Sequence, residues 1–270
     1  MTRRDARAAA WGTLALVLAL TGCVATDADV VLPPAGAAPD YQLGGAYEPD
    51  ARVGIVARDR SAAPAAGRYS ICYLNGFQTQ PGERASWPDD LVLRDAGHED
   101  VIDPDWPDEA LLDTRGAANQ DAIAERVGEW IRGCAEAGFD AVEFDNLDSY
   151  TRSGGLLGLD DNLALATRFV ETAHAHGLAA AQKNSAEDAA RLRAEAGFDF
   201  AVVEECAAFD ECSVYAAPYG PRVIDIEYTD ALPRPFAEVC ADEATPASTV
   251  LRDRDLTTPA DDAYVFALCD

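Results

Sequence analysis

Between residues 119 and 204 one pattern occurs three times: an amphipathic run, a glycine, and a short apolar run ending in polar residues. In the first copy Ile123, Val127, Trp130 and Ile131 recur at helical spacing, with Asn119 placed as a cap, and Gly138 follows. The second spans residues 160–176 and stops at Gly177; the third spans 186–196 and stops at Gly197. Helix, glycine and short strand make one half of a parallel β/α unit, and consecutive copies demand right-handed crossovers in one sheet. Strands are expected at 53–58, 69–74, 99–103, 141–145, 178–183, 200–204, 223–228 and one of 249–253 or 264–268. About eight strands, with no Gly-rich dinucleotide or phosphate loop, favour an α/β fold closed as a (β/α)8 TIM barrel in a single domain.

The strand ends carry the chemistry. Residues 141–148 read Ala-Val-Glu-Phe-Asp-Asn-Leu-Asp, and the later ends are Lys183-Asn184, Glu204-Glu205-Cys206 and Glu227-Tyr228. Acids are poor strand formers and costly to bury, so their concentration there points to a carboxylate site at one mouth of the barrel. Alternation places Asp145 on one face with Glu143 and Ala141, while Val142 and Phe144 meet the helices. Lys183 then shares the inner face with Ala181 and Ala179, and Glu204 with Val202. Glu143 becomes a charge deep in the barrel, needing Lys183 or an arginine as partner.

Residues 1–23 read as an export signal: Arg3 and Arg4, an apolar core from Ala8 to Leu20, then Leu20-Thr21-Gly22-Cys23. The pattern is that of a lipoprotein signal, with Cys23 as the lipidation site. It predicts an exported protein, lipid-anchored to the cell membrane on its outer side. Residues 24–40, rich in Ala, Pro and Asp, are expected to be a flexible tether, and residues 41–270 the barrel. Six further cysteines in an exported chain favour disulfides, and six allow 15 pairings. The expected set is Cys206–Cys212 closing a short loop, Cys240–Cys269 pinning the C-terminus, and Cys72–Cys134 by elimination. No CxxC pair occurs, so no metal site is expected. The formal net charge of −27 argues against a nucleic-acid partner and favours a cationic one. Lys183 is the only lysine.

Taken in order, residues 138–148, Lys183-Asn184, residues 198–206 and Glu227-Tyr228 resemble glycoside hydrolase family 114, the endo-α-1,4-polygalactosaminidase-like TIM barrels. Residues 41–45, Trp106 to Glu109 leading to Asp113-Thr114-Arg115, and His174 to Leu178 are similar too, as is the Cys206, Cys212 pair. The resemblance implies an endo-acting hydrolase of α-1,4-linked galactosamine-rich polysaccharide, without cofactor or metal, acting as a monomer. It implies Asp145 and Glu204 as the catalytic carboxylates, read here as nucleophile and general acid/base. Tyr73, Asn146, Asp148, Lys183, Asn184, Glu227 and Tyr228 are expected to bind substrate. One segment departs from the family pattern: Asn75 to Gln80 replaces a Ser/Ala-Gly turn followed by Glu and Arg, and that loop is expected to line the cleft.

Plainer roles are open to the same residues. Asp148 serves equally as a loop cap, Lys183 as an ion-pair partner of Glu143, and the tyrosines as core. His174 and His176 read as structural. Two alternatives to the first function are a non-catalytic carbohydrate-binding barrel of the cell envelope and a hydrolase of another sugar polymer.

Overall fold

The computed structural model describes residues 30–269. Eight parallel strands lie side by side in chain order: β1 (Ala38–Gln42), β2 (Val53–Asp59), β3 (Tyr69–Asn75), β4 (Ala141–Asp145), β5 (Ala179–Lys183), β6 (Phe200–Glu204), β7 (Val223–Tyr228) and β8 (Ser248–Arg252). A ninth, β9 (Phe266–Leu268), pairs antiparallel with β8. Arg252 of β8, fully buried, donates to the Tyr41 carbonyl and to Asp40 Oδ1 at 3.0 Å, which draws β8 onto β1 and closes the barrel.

Helices α1 (Gly116–Ala137), α2 (Leu159–Ala175), α3 (Ala189–Arg191, continued as a π-turn over Leu192–Ala196), α4 (Cys212–Tyr219) and α5 (Phe236–Cys240) cover the outside. Gly138, Gly177 and Gly197 follow α1, α2 and the π-turn at φ of 93°, 76° and 85°, a conformation that a Cβ makes costly. α1 begins three residues before Asn119, whose side chain instead donates to the Asp113 carbonyl. The β1–β2 and β2–β3 connections contain no helix among the described residues.

Strand alternation sorts the core into two layers. Ile71, Ala141, Ala181, Val202 and Ile226 fill the barrel interior. Leu74, Val142, Phe144, Ala180 and Val203 face the helices, where Phe144 stacks on Phe169 with ring centroids 5.1 Å apart. Three disulfides, Cys72–Cys134, Cys206–Cys212 and Cys240–Cys269, tie β3 to α1, the β6 exit to α4, and α5 to the C-terminus.

Two sequence expectations are corrected. Residues 99–103 are not a barrel strand; they make isolated bridges within the long β3–α1 connection. The missing strand is β1, which lies partly in the expected tether. Its Pro39 and Asp40 hide it, because the charge that argues against a strand is neutralised by a distant arginine. The segment before it also packs: Val30 and Leu32 lie against the barrel interior, and Tyr69 Oη donates to the Val31 carbonyl at 2.8 Å. The barrel unit thus takes in residues from 30 onward. Residues 1–23, with Cys23, lie outside the described residues. No helix among the described residues is long and apolar enough to cross a membrane.

Candidate active site

The parallel strands all end on one face, and the long β3–α1 connection and the β8–β9 loop rise around it. They enclose a cavity of about 680 Å³ at the C-terminal ends of the strands. Eight carboxyl groups and three cationic side chains line it, so its field favours cations.

Asp145, Lys183 and Glu204 end β4, β5 and β6 on the inner face, as alternation requires. The Lys183 ammonium donates to Glu204 Oε2 at 2.7 Å and to Asp145 Oδ1 at 3.2 Å. Those two oxygens therefore lie at most the sum of these distances apart, about 5.9 Å. Asp145 also accepts the Tyr73 hydroxyl at 2.6 Å and the Asn146 N–H at 2.8 Å. Glu204 accepts the Tyr228 hydroxyl and Asn184 Nδ2 at 3.2 Å, while its own N–H bonds Asn184 Oδ1 at 2.9 Å. Both carboxylates are thus met only by donors.

The electrostatics follow from these contacts. Burial pushes Glu204 up, but Lys183, Tyr228 and Asn184 outweigh it and hold the carboxyl at about 2. Burial would push Lys183 down; Asp145, Glu204 and Glu143 overcome it and keep the ammonium above the ordinary lysine value. Burial raises Tyr73 and Tyr228 well above the usual phenol, and their anionic partners add to it, so both remain donors.

The residue after each of these three strand ends has left-handed backbone without being glycine: Asn146 at φ 61°, Asn184 at 45° and Glu205 at 61°. Such conformations are costly and gather at functional sites.

Of the other expected site residues, Asn146, Asp148 and Asn184 line the cavity. Asp148 pairs with Arg152 at 2.9 Å, and its side chain caps nothing. Tyr73 and Tyr228 line it too, with hydroxyls spent on the carboxylates. Glu227 is corrected: it stands one position before inward-facing Tyr228, so it points outward, is fully buried, and accepts the Ala207 N–H at 2.7 Å. Glu143 is corrected in its partner. Lys183 is taken up by the two outer carboxylates, and the Tyr41 hydroxyl bonds Glu143 instead. Burial pushes Glu143 up to about 8 against the pull of Lys183 and Tyr41, so it is neutral near pH 7. The Asn75–Gln80 loop does not line the cavity. Gln78 and Thr79 are buried, and Gln78 Nε2 donates to Asp103 Oδ2 at 2.5 Å beneath the adjoining loop.

Sequence reasoning missed the side chains that the loops above the strand ends bring in. Arg152 holds Asp103 at 2.6 Å, Asp148 at 2.9 Å and Asn146 at 3.1 Å. Trp106 is 60% exposed at the cavity edge, and Glu109 lies within it. Across the mouth Arg254 clamps Glu205 and Asp230 at 2.8 and 2.7 Å and lies 4.2 Å above the Tyr228 ring. Only the Trp106–Glu109 spacing carried any sequence signal.

A parallel barrel with paired carboxylates at the C-terminal mouth of its strands has the construction of a glycoside-hydrolase barrel. The chain belongs to glycoside hydrolase family GH114, whose model matches residues 21–270. It superposes on Ega3 of Aspergillus fumigatus, solved in complex with galactosamine, with a TM-score of 0.69 at 22% identity, over 88% of this chain and 100% of that one. It also superposes on the glycoside hydrolase domain of PelA from Pseudomonas aeruginosa, with a TM-score of 0.53 at 13% identity, over 84% of this chain and 97% of that one. At these identities the likeness shows the barrel fold. No curated protein sequence matches the chain.

Proposed function

We propose that this barrel is an endo-acting hydrolase of α-1,4-linked galactosamine-rich polysaccharide, with Asp145 as nucleophile and Glu204 as general acid/base. The observation that carries the reading is the single buried ammonium bridging those two carboxylates on the floor of an acidic cavity. The two oxygens that share the ammonium are at most about 5.9 Å apart, which supports the retaining arrangement, about 5–5.5 Å between carboxyl groups, over the 6.5–9.5 Å roughly needed to seat an inverting water. The excess of carboxyl groups supports a cationic polymer, and the galactosamine bound to Ega3 is in keeping with that choice.

In the unliganded protein Glu204 is an anion, fit for base work. To donate a proton it must first take one up. A sugar covering the cavity displaces water from Glu204 and so raises its pKa. Asp145 then attacks the anomeric carbon while Glu204 protonates the departing oxygen. In the second half, Glu204 as base activates water to release the glycosyl-Asp145 ester. No cofactor enters this chemistry.

Incubating the protein with an α-1,4-galactosamine polymer and measuring new reducing ends tests the reading. Release is expected, with Asp145→Asn and Glu204→Gln each losing at least about 10³-fold at unchanged far-UV circular dichroism. No release between pH 5 and 8, with saturable polymer binding unaffected by Asp145→Asn, would favour the non-catalytic binding barrel instead. Export and anchoring through Cys23 belong to the same proposal, as does action as a monomer. Cys23→Ser is expected to move the protein from the membrane fraction to the medium.

A further inference from the structure

Among the carboxyl groups in the cavity to which that mechanism gives no task is Glu109. Glu109 is 8% exposed, and it lines the cavity on the β3 side. Asn75 Nδ2 donates to its Oε2 at 2.9 Å; Oε1 has no partner among the described residues. Asn75 is the register partner of Asp145, so Glu109 belongs to the neighbourhood of that carboxylate.

The backbone around Glu109 is built. Its N–H donates to the Trp106 carbonyl at 2.9 Å, and its carbonyl accepts the Asp103 N–H at 3.0 Å. Asp103, fully buried, accepts the N–H groups of Asp105 and Trp106 and is held by Arg152 and Gln78. The turn thus carries two unlike side chains into one place, an exposed indole at the rim and a half-satisfied carboxyl further in.

We propose that Glu109 is a specificity-determining residue, receiving the ammonium of a de-N-acetylated hexosamine whose ring lies on Trp106. The proposal rests on the amino-sugar polysaccharide reading above and names the group that would read the amine. An indole face accommodates a sugar ring or a cation, and an unpaired oxygen on a buried carboxyl lacks only a donor. A neutral N-acetyl group offers a single weaker donor and needs room for its methyl.

Burial pushes Glu109 up to about 7, with Asp145 and Asp103 adding to the rise and Asn75 and Arg152 opposing it. At pH 6 the carboxyl therefore holds its proton most of the time. An arriving ammonium favours the anion, so binding releases that proton to solvent.

The test uses a short α-1,4-galactosamine oligosaccharide and its N-acetylated counterpart as probes, with hydrolysis of the matching polymers. Calorimetry at pH 6 in two buffers of different ionisation enthalpy is expected to show the wild type releasing most of a proton more than Glu109→Gln on binding the amine probe, any uptake at Glu204 being common to both. The preference of Glu109→Gln in kcat/KM for amine over N-acetyl polymer should fall on the order of 30-fold. Trp106→Ala, at an exposed position, should raise KM for both polymers and leave their ratio in place. If the wild type binds and cleaves the amine polymer but Glu109→Gln keeps both the preference and the proton release, the inference fails alone. If the wild type binds neither probe, the functional reading fails and the inference with it.

Discussion

The Lys183 ammonium lies 2.7 Å from Glu204 Oε2, and the strand order makes that contact inevitable: β5 separates β4 from β6, and its last inward residue is the lysine. The same ammonium reaches Asp145 at 3.2 Å from the other side. Without it, two partly exposed carboxylates would face each other with no cation between them.

Lys183→Met tests this directly. Glu204 loses the cation that does most to hold it at about 2, so its pKa should climb. Activity is expected to fall at least about 100-fold, because both carboxylates lose the cation that positions them and balances their charge. The pH profile of kcat/KM is the measurement. A variant that keeps the wild-type acidic limb would show that Lys183 does not set the ionisation of the pair.

Glu143 sits below that triad with its Oε2 buried and without a hydrogen-bond partner. Its folded pKa of about 8 lies above the unfolded value of roughly 4.3. The folded state therefore holds a proton that the unfolded chain has released, and stability falls as pH rises from about 4.3 through 8. Glu143→Gln keeps the shape and the Tyr41 contact without the ionisable group. Its melting temperature should match the wild type near pH 4 and exceed it by several degrees at pH 8. Parallel melting curves at both pH values would refute the buried neutral acid.

What could be read in advance was set by local periodicity. The glycine-stopped helices, the alternation along β4, β5 and β6, and the placing of Asp145, Lys183 and Glu204 at strand ends each depend on residues within one short window. β1 was lost because Asp40 is made tolerable by Arg252, more than two hundred residues away. Glu109, Trp106 and Arg152 escaped for a related reason. They sit on connections whose path is fixed by buried hydrogen bonds to Asp103, and no period reports those. Glu227 shows how far alternation reaches: the step to Tyr228 decides which of two polar neighbours faces the substrate.

Glu227→Gln should accordingly leave catalysis nearly alone. The side chain points away from the cavity, towards Asp225 and the Ala207 N–H. Burial and the neighbouring acids hold both carboxyls above their ordinary range, and an amide in place of Glu227 can donate to Asp225. The expected kcat and KM lie within about threefold of wild type, as for a residue outside the substrate's reach. A loss beyond tenfold in kcat at intact stability would return Glu227 to the substrate site.

The disulfides should divide stability from function. Cys72–Cys134 joins β3 to α1 across 62 residues on the side of β3 that faces the helices, and Cys206–Cys212 closes only 6. Loop-closure entropy makes the first worth about 4 kcal/mol and the second about 2 kcal/mol. The short loop, however, leaves β6 two residues after Glu204, and its Cys206 and Ala207 N–H groups are fastened to Asp225 and Glu227. Cys72→Ala/Cys134→Ala is therefore expected to lower the denaturant midpoint more while sparing kcat. Cys206→Ala/Cys212→Ala should lower it less and reduce kcat several-fold, since freedom in that loop reaches the left-handed Glu205 and the carboxylate beside it. Urea melts and initial rates on the two double variants decide the matter; the opposite ordering would mean that the β6 exit is held by its buried hydrogen bonds alone.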